Sequence, residues 1–288
     1  MGAVAPAPRS PPDVRTAVPP AASVADVLAA FTTLPTWLII LVCAVAFSLV
    51  TFGTRWIVKR RCDVDRQEDL VELAGSMNGP TGTTLAFLIG FAVTITWGTM
   101  SAAQGSIEKV AASAQQISWL TENFEDRTAA TTINDDLSSY LLTIVNQDRG
   151  KLASGDIVQL PSFDYLDRLE RDVRAVGKAG ATANPESSQL LSAASALTGA
   201  QAELNAVARR QLPTVVLWLL LFTATLSAAV MGIVATKVRR PYLILGWAIV
   251  AATGISVVLS LYNPFDGTVS VDFQPLADAA ARIAANSR

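Results

Sequence analysis

Four stretches of this chain contain no Asp, Glu, Lys or Arg: Thr36 to Thr54, Gly82 to Gly105, Leu212 to Thr236 and Pro241 to Asn263. Crossing about 30 Å of hydrocarbon at about 1.5 Å per residue takes about 20 largely apolar residues, and inside lipid every backbone polar group must be bonded within the helix. The pattern therefore predicts an all-α, polytopic membrane protein with four transmembrane helices, at about residues 36–58, 82–102, 213–236 and 241–262. A long helical segment, 103–212, lies between the second and third. Composition agrees, since only 16% of the residues are charged and the mean hydropathy is +0.39, against about 25% charged in an average soluble domain.

Several function classes drop out early. The chain has no histidine, which removes His-based metal sites and Ser-His or Cys-His nucleophile couples. No nucleophile motif stands out, so no enzyme, catalytic residue, metal site or cofactor is expected. Cys43 and Cys62 form no C-x-x-C pair and read as free thiols. A net charge of −2 offers no basis for a nucleic-acid partner. Spans without ionisable groups argue against a proton relay, a voltage sensor or a coupled transporter; a passive pore or a structural assembly passes that test.

Residues 1–33 are rich in Ala and Pro, with Pro6, Pro8, Pro11, Pro12, Pro19 and Pro20 among the first 23, and read as a disordered arm. They do not read as a signal peptide, because the first apolar run is long enough to span and ends in Lys59-Arg60-Arg61 rather than at a cleavage site. The four-span unit is placed at 34–275, with a short tail over 276–288 that begins within an amphipathic stretch, Pro275 to Ala284. Basic residues mark the short loops: Arg55, Lys59, Arg60, Arg61 and Arg66 after the first span, and Lys237, Arg239 and Arg240 between the third and fourth. The positive-inside rule puts both in the cytoplasm and the 103–212 segment on the non-cytoplasmic side of the membrane. Asp63 to Asp69 lacks the glycine and glutamate of a calcium loop and reads as a solvated helix start.

Within 103–212, apolar residues recur at steps of three and four. One helix continues the second span through Ile107, Val110, Ala114, Ile117 and Leu120. A second carries Ile133, Leu137, Tyr140 and Ile144 and is expected to end near Arg149-Gly150. A third presents Phe163, Leu166, Leu169 and Val173. A fourth opens at Pro185 and shows Leu190, Ala193, Leu197, Ala200, Leu204 and Val207 as an a/d seam, open to two readings: packing within the bundle, or a coiled coil between subunits.

The second span is the most patterned. Gly82, Ala86, Gly90, Thr94 and Gly98 recur every fourth position, the spacing that lets helices approach closely in lipid. Thr83, Phe87, Phe91, Thr94, Gly98 and Ser101 fall in one sector about 80° wide, while Leu85, Leu88, Ile89 and Ala92 lie opposite and suit lipid. Two readings of the polar and aromatic sector are open. It lines a pore, with Phe87 and Phe91 as a hydrophobic constriction wetted by Thr83, Thr94 and Ser101 on either side, or it is a helix-packing seam with Gly82, Ala86 and Gly90. Ala224, Ala228 and Gly232 form a similar packing seam on the third span, as do Gly246 and Gly254 on the fourth. After the fourth, Asn263 to Val271 reads as a turn with a short extended piece, and Phe265 as an anchor at the membrane interface.

Taken in order, Leu34-Pro35-Thr36-Trp37, Leu88 to Val93 with Trp97, Tyr140 to Gly150, Arg209 to Pro213 with Trp218, and Asn263-Pro264-Phe265-Asp266-Gly267 with Val269 and Val271 resemble the bacterial bestrophin-like membrane family. The likeness covers about residues 34 to 275. It implies four spans, a helical insertion between spans two and three, and kinship to bestrophins, which are pentameric chloride channels whose second span lines a hydrophobic neck. By that resemblance Phe87 and Phe91 are neck residues. Two features depart from the animal pattern. The basic loops put the insertion on the opposite side of the membrane, and no acidic calcium clasp follows the last span.

The function expected is a homo-oligomeric, anion-permeable channel of the chloride type, in contact with membrane lipid and passing a small anion. The alternative, from another class, is a non-conducting interaction or sensor protein acting through its extramembrane bundle.

Overall fold

The computed structural model describes residues 35–122, 124, 126–179, 185–210, 213–238, 242–267 and 269–286. The arm at 1–33 lies outside them. Among the described residues all regular structure is helical. In chain order the helices are α1 (Thr36–Arg61), α2 (Val64–Thr121), α3 (Arg127–Thr143), α4 (Arg149–Ser154), α5 (Ser162–Ala179), α6 (Pro185–Ala208), α7 (Thr214–Val234), α8 (Leu243–Ser260) and α9 (Gln274–Asn286), with a π-helical turn, Ile144–Asp148, joining α3 to α4.

Three of them, α1, α2 and α7, are long and apolar enough to cross a membrane, and Ile244–Ser260 within α8 is a shorter apolar helix. Prolines mark two of the starts. Pro35 precedes α1 and Pro213 precedes α7, where a missing N–H costs nothing. Lys59, Arg60 and Arg61 close α1, favourably placed against the negative end of the helix dipole.

The second span is the middle of a much longer element. Helix α2 runs 58 residues without interruption and carries Pro80 in its interior, a length of about 87 Å. It passes through two separate cores. In the first, Leu85, Leu88 and Ala92 pack with Ile39 and Phe47 of α1, Leu217, Leu220, Ala224 and Ala228 of α7, and Ala248, Ala252 and Ile255 of α8. In the second, Ile107, Val110, Ala114 and Ile117 pack with α3, α5, α6 and α9.

The a/d seam on α6 is wholly consumed here, since Leu190, Ala193, Leu197, Ala200, Leu204 and Val207 are all buried in the second core. That supports bundle packing over a coiled coil between subunits. One side-chain cap and one buried hydrogen bond between helices fix local geometry. Asp126 accepts the amides of Thr128 and Ala129 at the start of α3, and Tyr140 on α3 donates to Gln201 Oε1 on α6 at 2.6 Å, with Gln201 in turn donating to Asn205.

Two expectations are corrected. The helix does not stop at Arg149-Gly150 but continues through α4 to Gly155, whose φ of 72° makes it the left-handed residue that ends the run. Phe265 does not anchor at a membrane surface. It is 1% exposed in the bundle core, with its ring 6.4 Å from that of Phe273. Between Asn263 and Val271 the described residues form a turn, as expected, closed where the amide of Val271 donates to the carbonyl of Pro264 at 2.8 Å.

The amphipathic piece at the end of the chain is α9, whose Leu276, Ala279, Ala280 and Ile283 are buried against α2 and α3. Its approach is tied down by polar contacts that the sequence reading did not foresee. Asn263 donates to the carbonyl of Ala153 at 2.8 Å, Arg149 donates to the carbonyl of Phe265 and to Ser270, and the amide of Asp272 donates to Gln104.

Candidate functional site

The two sides of α2 between Gly82 and Ser101 have opposite fates. Leu85, Leu88 and Ala92 are 4%, 8% and 0% exposed, turned into the chain's own core. The aliphatic side therefore does not face lipid as expected. In a bilayer, apolar side chains serve helix packing and lipid contact equally well, so hydrophobicity alone does not tell the two apart.

The opposite side is the open one. Phe87 and Phe91 are 69% and 47% exposed, and Thr83, Thr94, Gly98 and Ser101 are exposed with them. The two rings, one helical turn apart, stack at 6.3 Å with an interplanar angle of 9°. The hydroxyl of Thr83 donates to the carbonyl of Gly79, and that of Thr94 to Gly90 at 2.8 Å. Both protons are satisfied within the helix, so these hydroxyls sit on an apolar face without an unmet donor. From Leu73 to Ile107 this helix carries no ionisable residue.

The small residues divide into two groups. A Cβ built on Gly232 would lie 2.5 Å from the carbonyl oxygen of Thr51 and 2.9 Å from Cβ of Thr54; with the buried Ala224 and Ala228 it lets α7 lie against α1. There the Thr51 hydroxyl donates to the Ala228 carbonyl at 3.1 Å. Gly254 of α8 receives Ile89 of α2 in the same way. By contrast Gly82, Gly90, Gly98 and Gly246 have nothing within 4 Å of that position among the described residues, and Ala86 is exposed, so these positions are open within one chain.

Beyond the spans, Asp148 is fully buried at the end of the π-helical turn, and neither carboxylate oxygen completes a hydrogen bond. It lies beside Ser162 at the start of α5. Burial pushes its carboxyl above the ordinary carboxylate range, outweighing the opposing influence of Ser162 and Lys151. Tyr140 is likewise pushed up, by burial first and by Asp148 second. Among the described residues no cluster of three or more acids and cysteines could hold a metal ion.

A sequence model of the bestrophin-like domain matches residues 45–276. The chain belongs to the bestrophin-like family. It is a membrane protein of that family, and its fold is that of solved relatives. A bestrophin homologue from Klebsiella pneumoniae, in a point-variant form, is similar over 88% of this chain and 98% of its own, with TM-score 0.64 and 12% identity. A second structure of the Klebsiella pneumoniae bestrophin homologue covers 87% of this chain and 96% of its own, with TM-score 0.61 and 13% identity. A variant described only as a membrane protein gives TM-score 0.67 at 11% identity, over 86% and 98% of the two chains. No curated protein matches the sequence. The sequence alone did not reveal the clasp of Arg149 and Asn263 on the tail. Its signal was there in the apolar spacing of Leu276, Ala279, Ala280 and Ile283, which needs a packing partner.

Proposed function

We propose that the protein is a subunit of a homo-oligomeric, anion-permeable channel of the chloride type, with the exposed face of α2 lining the path. One observation carries this reading. The side of α2 bearing Leu85, Leu88 and Ala92 is spent on the chain's own core, while the side bearing Phe87, Phe91, Thr94, Gly98 and Ser101 is left uncovered. Copies arranged about an axis bring that side inward. Phe87 and Phe91 then form a dry constriction, with the weakly positive edges of their rings available to a passing anion. No acid on this face repels one. Gly82, Ala86 and Gly90, unpacked within one chain, provide for close contact between copies.

All four apolar helices α1, α2, α7 and α8 cross the membrane in this reading. Exposed aromatic residues support it at two levels: Trp37 and Trp218 near the end where Thr36 meets Ser260, and Trp56 and Tyr242 at the opposite end, where Arg55 donates to the carbonyl of Val238. The short basic loops face the cytoplasm, and the bundle of 103–212 lies outside. Cys62 is then labelled by an impermeant thiol reagent only from the cytoplasmic side; labelling from outside in intact cells inverts this topology.

Halide flux into liposomes holding the purified protein tests conduction. Flux above protein-free liposomes, and faster in Phe91→Ala than in the parent, is the expected result. Flux unaltered by the substitution overturns the constriction, and absence of flux from correctly assembled protein overturns the channel and favours an interaction protein acting through its bundle.

A further inference from the structure

We infer that the outer face of α1 is a docking surface for an anionic phospholipid of the leaflet on the side of the short loops. Five helical positions with exposed side chains set it up. Leu49, Phe52, Trp56, Lys59 and Arg60 follow one another at steps of three and four or in direct sequence, all exposed, within a sector about 100° wide. Along that stripe the chemistry changes in the order a lipid molecule requires: aliphatic and aromatic surface first, then an indole, then two cations. From Leu49 to Arg60 the stripe rises about 16 Å, comparable with half of a hydrocarbon core of about 30 Å. Acyl chains lie along Leu49 and Phe52, Trp56 marks the boundary, and the headgroup phosphate meets Lys59 and Arg60.

The charge is available for this purpose. Two other cations at this end of the molecule are already engaged: Arg55 donates to the carbonyl of Val238, and Lys237 pairs with Glu68 at 3.6 Å. Among the described residues Lys59 and Arg60 have neither an ion pair nor a hydrogen bond, and the guanidinium of Arg60 rests 4.9 Å above the Trp56 ring. That stacking holds Arg60 at the level of the indole with its N–H edges free to meet phosphate oxygens. Arg61, one position on, falls outside the sector and serves as an internal control.

The inference rests on α1 crossing the bilayer and not on conduction. It is tested on the full chain purified in detergent, by native mass spectrometry and thermal shift, titrating phosphatidylglycerol, phosphatidylcholine and inorganic phosphate in turn. Phosphatidylglycerol is expected to be retained and to raise the melting temperature, phosphatidylcholine to do so far less, and inorganic phosphate not at all. The double variant Lys59→Gln/Arg60→Gln should weaken the phosphatidylglycerol effect roughly thirtyfold, at about 1 kcal/mol per basic residue. Arg61→Gln and the charge-preserving Lys59→Arg/Arg60→Lys should retain most of it. Equal binding of both lipids, or full binding by the Gln double variant, overturns the site; an equal effect of inorganic phosphate reassigns it to a soluble anion. Insertion is read separately, by flotation of the same variants with phosphatidylcholine vesicles, so a failure of α1 to enter the bilayer is not mistaken for a loss of headgroup preference.

Discussion

The two cores joined by α2 differ in what they leave outside and in how closely their helices approach. In the bundle the largest buried side chains include Tyr140, Phe265, Ile107, Leu137 and Leu169, and apart from Asp148 charge sits outside, as in the exposed Lys109–Glu203 pair. Among the apolar helices Gly232 and Gly254 sit where a Cβ would meet a neighbour at under 3 Å, Ala92, Ala224, Ala228 and Ala252 are fully buried, and many large residues, such as Trp37, Phe87, Phe222 and Val250, face outward. Water drives the first arrangement, by rewarding burial of large apolar groups. Lipid tails give no such reward, and close approach of small residues takes its place.

The sharpest way to break this contrast is to truncate one phenylalanine in each half. Phe265→Ala should cost about 3–5 kcal/mol and lower the melting temperature of the detergent-solubilised protein markedly, because its ring fills the bundle core beside Phe273. Phe87→Ala, on an open face, should leave melting nearly unchanged while altering flux. Equal losses in the two variants would mean that Phe87 is buried by its own chain.

Glycines extend the comparison with a smaller effect. Gly232→Val forces methyl groups onto the carbonyl of Thr51, and overpacking of this kind costs about 1–3 kcal/mol, visible as earlier unfolding in size-exclusion analysis after heating. Gly90→Val meets nothing in its own chain. It should spare monomer stability yet disturb assembly, read as a shifted oligomer peak; an unaltered peak removes Gly90 from the contact between copies.

Smallest is the effect of pH on the bundle. Because burial holds the Asp148 carboxyl above its unfolded range, its contribution to stability is fully present below the unfolded value and is lost as pH rises through the folded one. Asp148→Asn carries no charge to bury, so its melting temperature should gain on the parent as pH is raised from 4 to 8. A constant difference across that range would show that Asp148 titrates in the fold as it does in the unfolded chain.

What was legible follows from the same physics. Charge-free runs announce α1, α2, α7 and α8, and the seam of Leu190, Leu197 and Leu204 announces α6, because length and period carry those signals. Which side of α2 is covered was not legible, since Leu85 and Leu88 suit lipid and protein alike. Asp148 stands in a polar run, Asn146-Gln147-Asp148-Arg149, where nothing marks it as buried; the π-helical turn that brings it inward has no compositional sign. Phe265 next to a predicted span looked like a surface anchor, and only its long-range partners, Arg149 and Phe273, place it in water-driven packing.

The absence of a break in α2 has a consequence for phase. Each residue of a helix turns its successors by about 100°, and the stretch from Trp97 to Ala103 separates the open face from the bundle-buried one within a single run of backbone. Inserting or deleting one residue there would rotate the Phe87 and Phe91 side relative to the entire bundle by that angle, with no loop to absorb the change.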